Sequence, residues 1–297
     1  MPSGLLLVDK PGGPTSHGIV SQTRKALGLK KVGHAGTLDP MATGLLVLGV
    51  GQGTKLLTYC VGLDKAYDAT IRLGMTTSTD DAEGDSDVIA TTDALDGVSE
   101  DAIREALRAF VGDIEQVPST VSAIRVDGKR AYERHRAGEE VVLKPRPVTI
   151  SSIGVVSTRR EHPWWDVDIR VECSSGTYIR AIARDLGAAL GVGGHLTALR
   201  RTRVGPFDVA DACGPEDISD SRLQSLVEAS GALMPQVSLT AAQAQDMSHG
   251  KKVFVAVESG LEGLPVACIC PDGQLVNISS IVDGVARSLV GFPREEV

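Results

Sequence analysis

Cysteine is scarce: Cys60, Cys173, Cys213, Cys268 and Cys270 are five in number, odd, and without a CxxC pair. That spacing excludes a disulfide framework and a zinc ribbon, so reduced thiols and no metal are expected. Long apolar runs are missing too. No stretch approaches the roughly 18 apolar residues of a membrane-spanning helix. The N-terminal LLLV is too short for a signal-peptide core and lacks a basic leader, so the expectation is a cytoplasmic protein with no membrane partner. No internal repeat is found either.

Acid is in excess. The 38 Asp and Glu outnumber the 30 Lys and Arg, a formal net charge of −8. Averaged over the chain, this argues against a nucleic-acid partner, but the layout reverses the argument. From Arg24 to Lys31 there are four bases and no acid, and Arg200, Arg201 and Arg203 add three more. Between Ser122 and Arg146 seven bases face four acids, whereas Asp80 to Asp101 carries nine carboxylates and no base. A surface divided in this way can guide a polyanion to one face; the alternative is that each cluster is only a solvated face.

With 297 residues and 31.1 kDa, the chain has room for one large domain and a small one. LLLVDKPGG reads as a buried strand ended by Pro and Gly. SHGIVSQTRKALG reads as a helix with Ser16 as its cap and Gly28 at its end. LLVLGV has strand length, and AYDATIRLG alternates, putting Tyr67, Ala69, Ile71 and Leu73 on one face. The acidic TTSTDDAEGDSD reads as a loop, followed by a helix from about Ser99 to Val111 with Val98 and Ile103 placed for a hydrophobic staple. Residues 116–147 have scattered charge and no clean apolar period, which suggests a protruding excursion. Trp165 to Cys173 alternates as a strand and runs through SSGT into a helix with Ile179, Ile182, Leu186 and Leu190 on one stripe. From about Ser238 several short strands, with PDGQ as a hairpin turn, suggest a small β-rich module.

The chemistry concentrates in GHAGTLDPMATGLL, Gly33 to Leu46. Pro40 fixes its own φ and biases Asp39 towards an extended conformation, so a carboxylate is held on a stiff loop. An isolated Asp-Pro is usually a turn. Here an imidazole, a hydroxyl and a carboxylate share one short segment. Such a carboxylate, ionised at neutral pH, can act as a nucleophile or a base. If buried, it needs a cation, and an Arg is the natural companion.

This segment, with Val8-Asp9-Lys10-Pro11 upstream and SSGTYIR downstream, resembles the TruB family of pseudouridine synthases over about residues 1 to 205. The resemblance implies an α/β (α+β) fold with a mixed, largely antiparallel central sheet. It implies a catalytic domain over 1–236, with an RNA-clamping insertion at about 116–147, and a small PUA-like RNA-binding module over 237–297. The implied activity is isomerisation of uridine 55 in the T arm of tRNA, with no cofactor, by a monomer. By the same resemblance Asp39 is the nucleophile, Arg180 its salt-bridge partner and Tyr67 the active-site aromatic. Leu199 packs against uracil, and His34 fills the space of the flipped nucleotide. Arg130 in the insertion contacts RNA, and Lys10 is either structural or a neighbour of phosphate.

Each residue has a plainer reading. Tyr67 alone would be a core residue on an apolar strand face, Leu199 another, His34 a loop histidine and Arg180 a surface residue. A cation at the positive end of a helix dipole is, however, a poor local choice for a surface Arg. Asp81, in TSTDDAEG, is family-like without an assigned role. The residues fit two routes: Asp39 bonds to C1′, or it assists elimination and removes the C2′ proton; Tyr67 carries a proton or forms a stacking wall.

Three other functions compete with this reading. GVGQGTKLL places Gly49, Gly51 and Gly53 after a strand, as in a dinucleotide-binding turn, but Thr54 replaces the third glycine of the pattern. A Walker phosphate loop lacks its GK[ST]. A non-catalytic RNA-binding or tRNA-folding protein using the same surface is the rival that stays compatible with the residues. The module over 237–297 holds four bases against seven acids, so its electrostatic support for RNA binding is poor and only a modest contribution is expected.

Overall fold

In the computed structural model of the chain, residues 2–120, 125–126, 129–130, 143–256 and 260–293 are described. The first strands and helices are β1 (Gly4–Lys10), α1 (Ser16–Leu27), β2 (Val32–Ala35), β3 (Thr43–Val50), α2 (Leu57–Val61) and β4 (Lys65–Leu73). A hairpin of β5 (Met75–Thr77) and β6 (Ser86–Ile89) follows, then α3 (Thr92–Asp96), α4 (Glu100–Arg108) and β7 (Gly112–Gln116). Two-residue strands β8 (Arg125–Val126) and β9 (Lys129–Arg130) pair within residues 116–147. Next come β10 (Arg146–Glu161), β11 (Trp164–Cys173), α5 (Ile179–Ala189), β12 (Gly194–Val204) and β13 (Phe207–Asp208). The short β14 (Gln224–Ser225) leads into α6 (Leu226–Leu233).

The main sheet has ten strands in the order β14-β1-β3-β12-β4-β11-β10-β7, with β2 added to β3 and β13 to β12. Its pairings are antiparallel except β3 with β12, where Arg200 and Arg201 face Thr43 and Gly44. Alternation decides which side of each strand is buried, because a one-residue slip would turn every apolar residue outward. In β4, Tyr67, Ala69, Ile71 and Leu73 pack on the front face with Ile179, Ile182 and Leu186 of α5. Each buried Ile or Leu among them contributes about 1.5–3 kcal/mol. The opposite side of β4 carries Asp68 and Arg72, which pair with Arg170 and Asp166 of β11.

A second sheet joins β15 (Gln236–Ser238), β17 (Pro265–Ile269), β18 (Leu275–Val282), β19 (Val285–Gly291) and β16 (Val253–Phe254), with α7 (Ala241–Ser248) alongside. The β-rich C-terminal module is therefore present. It lies against the back of the main sheet: Ala267, Leu275, Ile278 and Phe292 share a core with Leu5, Leu7, Leu45 and Val47.

Local departures from the expected pattern have physical causes. Thr15, not Ser16, caps α1 by accepting from Gly18 N at 3.0 Å; Ser16 is the first helical residue, and its hydroxyl is used elsewhere. The acidic segment is a hairpin turn between β5 and β6 rather than a plain loop, and it is followed by α3. His34 lies in β2, opposite Leu48 of β3. The glycines of GVGQGTKLL serve packing: a side chain at Gly53 would lie 1.9 Å from Gly4 O in β1.

Candidate functional site

Asp39 sits on the turn joining β2 to β3, and three buried side chains hold that turn. Lys10, at the end of β1, is fully buried and donates to Pro11 O at 2.9 Å, Pro40 O at 3.1 Å and Ala42 O at 2.6 Å. Burial lowers its pKa, against the opposing charges of Asp39 and Glu83. From the other side Ser16 Oγ accepts from Leu38 N at 2.9 Å and donates to Leu38 O at 3.0 Å. Arg201, only 1% exposed, donates to Leu45 O at 2.8 Å and Gly36 O at 3.1 Å. The register beside it admits only glycine at position 44: φ is +97°, and a Cβ would lie 2.2 Å from Arg201 O.

Arg180 reaches this turn from the first turn of α5. Its Nη2 lies 3.1 Å from Asp39 Oδ2, and its Nη1 lies 3.4 Å from Asp81 Oδ2 and donates to Thr79 O at 2.9 Å. One buried guanidinium is thus shared by two carboxylates. Asp81 is buried, and its Oδ1 accepts from Thr79 Oγ1 at 2.5 Å and from Glu83 N at 3.0 Å. Asp39 differs from it in keeping 35% of its side chain open. Even so, desolvation raises the Asp39 pKa; the adjacent Arg180 opposes the shift and the Asp81 charge adds to it. The balance leaves a carboxylate with an open edge, a fixed cation and more basicity than an ordinary Asp.

That open edge faces a cavity of about 280 Å³ lined by Asp39, Tyr67, Tyr178, Arg180 and Leu199, among others. This is near the lower limit of small-molecule sites. Tyr67 is buried, and burial raises its phenol pKa, so the ring is neutral near pH 7. The Arg201 charge opposes that rise, so the guanidinium that holds the Asp39 turn also adjoins the aromatic wall. Lys65 lines the same cavity and donates to Leu63 O at 2.6 Å and Val61 O at 3.2 Å. Burial pushes it down to about 8.

Four of the residues singled out in the sequence, Asp39, Arg180, Tyr67 and Leu199, therefore meet around one cavity. His34 lies on the same strand-and-turn segment, with its ring 5.5 Å from His17 in an edge-to-face arrangement. Burial and the neighbouring His17 lower its pKa, which favours the neutral imidazole. The Lys10 ammonium is buried among carbonyls, at the foot of the Asp39 turn. The Arg130 side chain, and most of residues 116–147, lie outside the described residues. Of the basic trio of β12, Arg201 needs correction, being a buried staple out of reach of a polyanion, whereas Arg200 and Arg203 are part-exposed and pair with Asp9 at 2.7 Å and Glu172 at 3.4 Å. Sequence reasoning left Asp81 without a role and missed Arg201 as a positioning group.

Comparison with known proteins places this geometry in context. The family described as "TruB family pseudouridylate synthase (N terminal domain)" matches residues 24–179, and "tRNA pseudouridylate synthase B C-terminal domain" matches residues 180–236. A tRNA pseudouridine synthase B of Leifsonia xyli subsp. xyli is 55% identical, covering 99% of this chain and 98% of that protein. Another, of Thermobifida fusca, is 47% identical over 98% of this chain and 99% of that protein. Among solved structures, a Cbf5-Nop10-Gar1 complex superposes with TM-score 0.70 and 28% identity, over 94% of this chain and 78% of that one. An H/ACA RNP bound to a substrate RNA containing 2'-deoxyuridine gives TM-score 0.66 and 26% identity, with the same coverage of 94% and 78%.

Proposed function

Because the chain belongs to the TruB family of pseudouridylate synthases, we propose that it isomerises uridine 55 in the T arm of tRNA, with Asp39 as nucleophile. The observation that carries the reading is the 3.1 Å pairing of Asp39 with a buried Arg180 at the mouth of a cavity walled by Tyr67 and Leu199.

The reaction breaks the N1–C1′ bond, turns the freed uracil, forms C5–C1′ and moves the C5 proton, leaving N1 protonated. There is no net oxidation. A base within a folded arm must first be flipped out, at a cost of a few kcal/mol. His34, beside the turn, takes the place it leaves. The base then lies between Tyr67 and Leu199 with C1′ towards Asp39. Arg180 keeps that carboxylate ionised in a site where desolvation works against its charge. The neutral Tyr67 phenol gives its proton to N1 of the freed uracil, and the phenolate so formed takes the proton that leaves C5, which restores the phenol. Lys10, Ser16 and Arg201 contribute by fixing the turn, since a misplacement of about 1 Å costs on the order of 10²-fold in rate.

A second route fits the same geometry, because a carboxylate with an open edge can act as a base as well as a nucleophile. In that route Asp39 removes the C2′ proton as the base departs and returns it to C2′ when C5 bonds to C1′. Deuterium at C2′ separates the two: a primary isotope effect on single-turnover conversion supports proton removal, and its absence supports attack at C1′. Mass-spectrometric mapping of tRNA incubated with purified protein tests the position. Pseudouridine at 55 is expected, and modification only elsewhere would overturn the proposal. Action in the cytoplasm, as a monomer, completes the reading.

A further inference from the structure

Arg180 is held by two carboxylates, and the second of them stands on a strained turn. Asp81 belongs to the turn that closes the β5–β6 hairpin, and the residue before it, Asp80, has φ +60°. Among the described residues only Asp80 and Asp283 combine a side chain with a positive φ. Asp enters that region more readily than most side chains, but still at a cost, and such residues persist where their surroundings hold them. Two of the turn's own backbone bonds are long: Asp80 N donates to Thr77 O at 3.3 Å and Gly84 N to Asp81 O at 3.4 Å.

What holds Asp80 comes from outside the hairpin. Its carbonyl accepts from Leu196 N of β12 at 3.0 Å, and its carboxylate meets Arg184 Nη1 at 3.4 Å. Arg184 is four residues after Arg180 in α5, so both guanidinia leave the same side of the helix. In an extended segment neighbouring side chains point to opposite sides. The left-handed turn at Asp80 lets both carboxylates face α5 instead. Two consecutive acids thus meet two arginines one helical turn apart, Asp81 with Arg180 and Asp80 with Arg184, each at 3.4 Å. Desolvation raises the Asp80 pKa, and the Arg184 and Arg180 charges oppose that rise, so both cations help to keep it ionised.

Arg184 carries the restraint further. Its Nη2 donates to Val117 O at 2.7 Å, just past β7, and its Nε to Asp185 Oδ1 at 2.8 Å. The residue before Val117, Gln116, is buried and makes two bonds to the backbone of Tyr178, which precedes α5. Tyr178 N donates to Gln116 Oε1 at 2.8 Å, and Gln116 Nε2 donates to Tyr178 O at 3.1 Å. The end of β7 therefore grips the start of α5, while Arg184 ties the hairpin turn to both. Neither Asp80 nor Arg184 lines the cavity beside Asp39. Any effect they have on the reaction passes through Asp81 and Arg180.

We propose that Asp80 and Arg184 are a positioning pair for the reaction: together they hold the strained turn that sets Asp81 against Arg180, and so the angle at which Arg180 meets Asp39. The inference rests on the reading that Asp39 performs the isomerisation. At 3.4 Å and partly exposed, the pair adds only modestly to stability. Its place is what gives it weight, one residue from Asp81 and one helical turn from Arg180. Without it the turn is free to relax towards ordinary φ, which carries the Asp81 carboxylate away from α5.

The test is single-turnover pseudouridine formation at saturating full-length tRNA, with tRNA affinity measured beside it, for the wild type, Arg184→Gln, Asp81→Asn and the Asp81→Asn/Arg184→Gln double variant. Arg184→Gln is expected to lower the rate about tenfold, less than the roughly 10²-fold of a displacement of about 1 Å, with affinity within about twofold of the wild type. Because the pair acts through Asp81, the same substitution made in the Asp81→Asn chain should lower the rate by less than about twofold more. Arg184→Lys, which can still reach Asp80, should recover part of the rate. An unchanged rate in Arg184→Gln would overturn the proposal. So would a loss that repeats undiminished in the Asp81→Asn chain, or one confined to affinity. Asp80→Asn, which tolerates the left-handed φ and removes only the charge, keeps the test decisive if Arg184→Gln fails to fold: the same loss and the same dependence on Asp81 are expected, and full activity would overturn the pair. Wild-type pseudouridine formation in the same tRNA is scored separately: its absence overturns the proposed function, whereas an active wild type with an unimpaired Arg184→Gln overturns only the positioning pair.

Discussion

Replacing Asp81 by Asn tests whether one guanidinium must be held from two sides. Asn has nearly the same shape and keeps an acceptor for the Thr79 hydroxyl, 2.5 Å away, and the Glu83 amide, 3.0 Å away. What is lost is the charge beside Arg180 at 3.4 Å. Stranding a buried charge completely costs about 3–5 kcal/mol. Arg180 keeps Asp39 and the Thr79 carbonyl, so a smaller loss of about 1–3 kcal/mol is expected, close to that of a charged hydrogen bond. The effect on rate has two parts. A guanidinium released on one side drifts, and a shift of about 1 Å lowers the plateau rate on the order of 10²-fold. The pH dependence moves as well. A raised carboxylate pKa means that Asp39 ionises only at higher pH, so activity falls with acid above the ordinary 3.8. The Asp81 charge contributes to that rise, and removing it should move the acid limb downward, each whole pH step corresponding to about 1.4 kcal/mol. Single-turnover release of tritium from C5-labelled uridine in tRNA, followed across pH, reads both parts. An unchanged plateau, or an acid limb that moves up, would refute the reasoning.

Other perturbations isolate the remaining parts. Tyr67→Phe keeps the aromatic wall and removes the phenol; a rate loss of about 10²–10⁴-fold in the tritium assay is expected if the phenol carries the proton, and near-normal turnover would reduce Tyr67 to a wall. Arg201→Lys cannot serve Gly36 O and Leu45 O together, so stability in urea should fall by about 2–4 kcal/mol, while a change below about 0.5 kcal/mol would deny the staple. Lys65, pushed down to about 8 by burial, gives a signed pH effect: the folded chain releases this proton first, the unfolded chain holds more protons up to about 10.5, and stability rises with pH between them. The wild type should gain up to roughly 3 kcal/mol over Lys65→Met across that window, and a flat difference in urea unfolding would contradict the assignment.

Much of the site was legible because its chemistry is local in sequence. Asp39 before Pro40 announces a stiff carboxylate, and period-two alternation alone puts Tyr67 on the buried face of β4. The Arg180 pairing came from motif resemblance, since no spacing brings residue 180 to residue 39. What stayed hidden depends on topology. Arg200, Arg201 and Arg203 read as one basic cluster, but β12 runs between β3 and β4 in the sheet, burying Arg201 and pairing the other two with Asp9 and Glu172. Ser16 looked like a helix cap, yet the adjacent Thr15 takes that task and frees the Ser16 hydroxyl for Leu38. The shared core behind β1 and β3 was also illegible, because Leu5 and Leu7 do not reveal that Leu275 and Phe292 will meet them.

Asp39→Asn bears most directly on the central claim, that this carboxylate performs the isomerisation rather than shaping a turn in an RNA-binding protein. The substitution is nearly isosteric, Lys10, Ser16 and Arg201 still hold the turn, and Arg180 keeps Asp81. Unmodified tRNA is incubated with the wild type and with the variant, affinity is measured, and pseudouridine is mapped by mass spectrometry. The expected result is wild-type affinity with no pseudouridine formed by the variant. Pseudouridine formation at the wild-type rate would contradict the account.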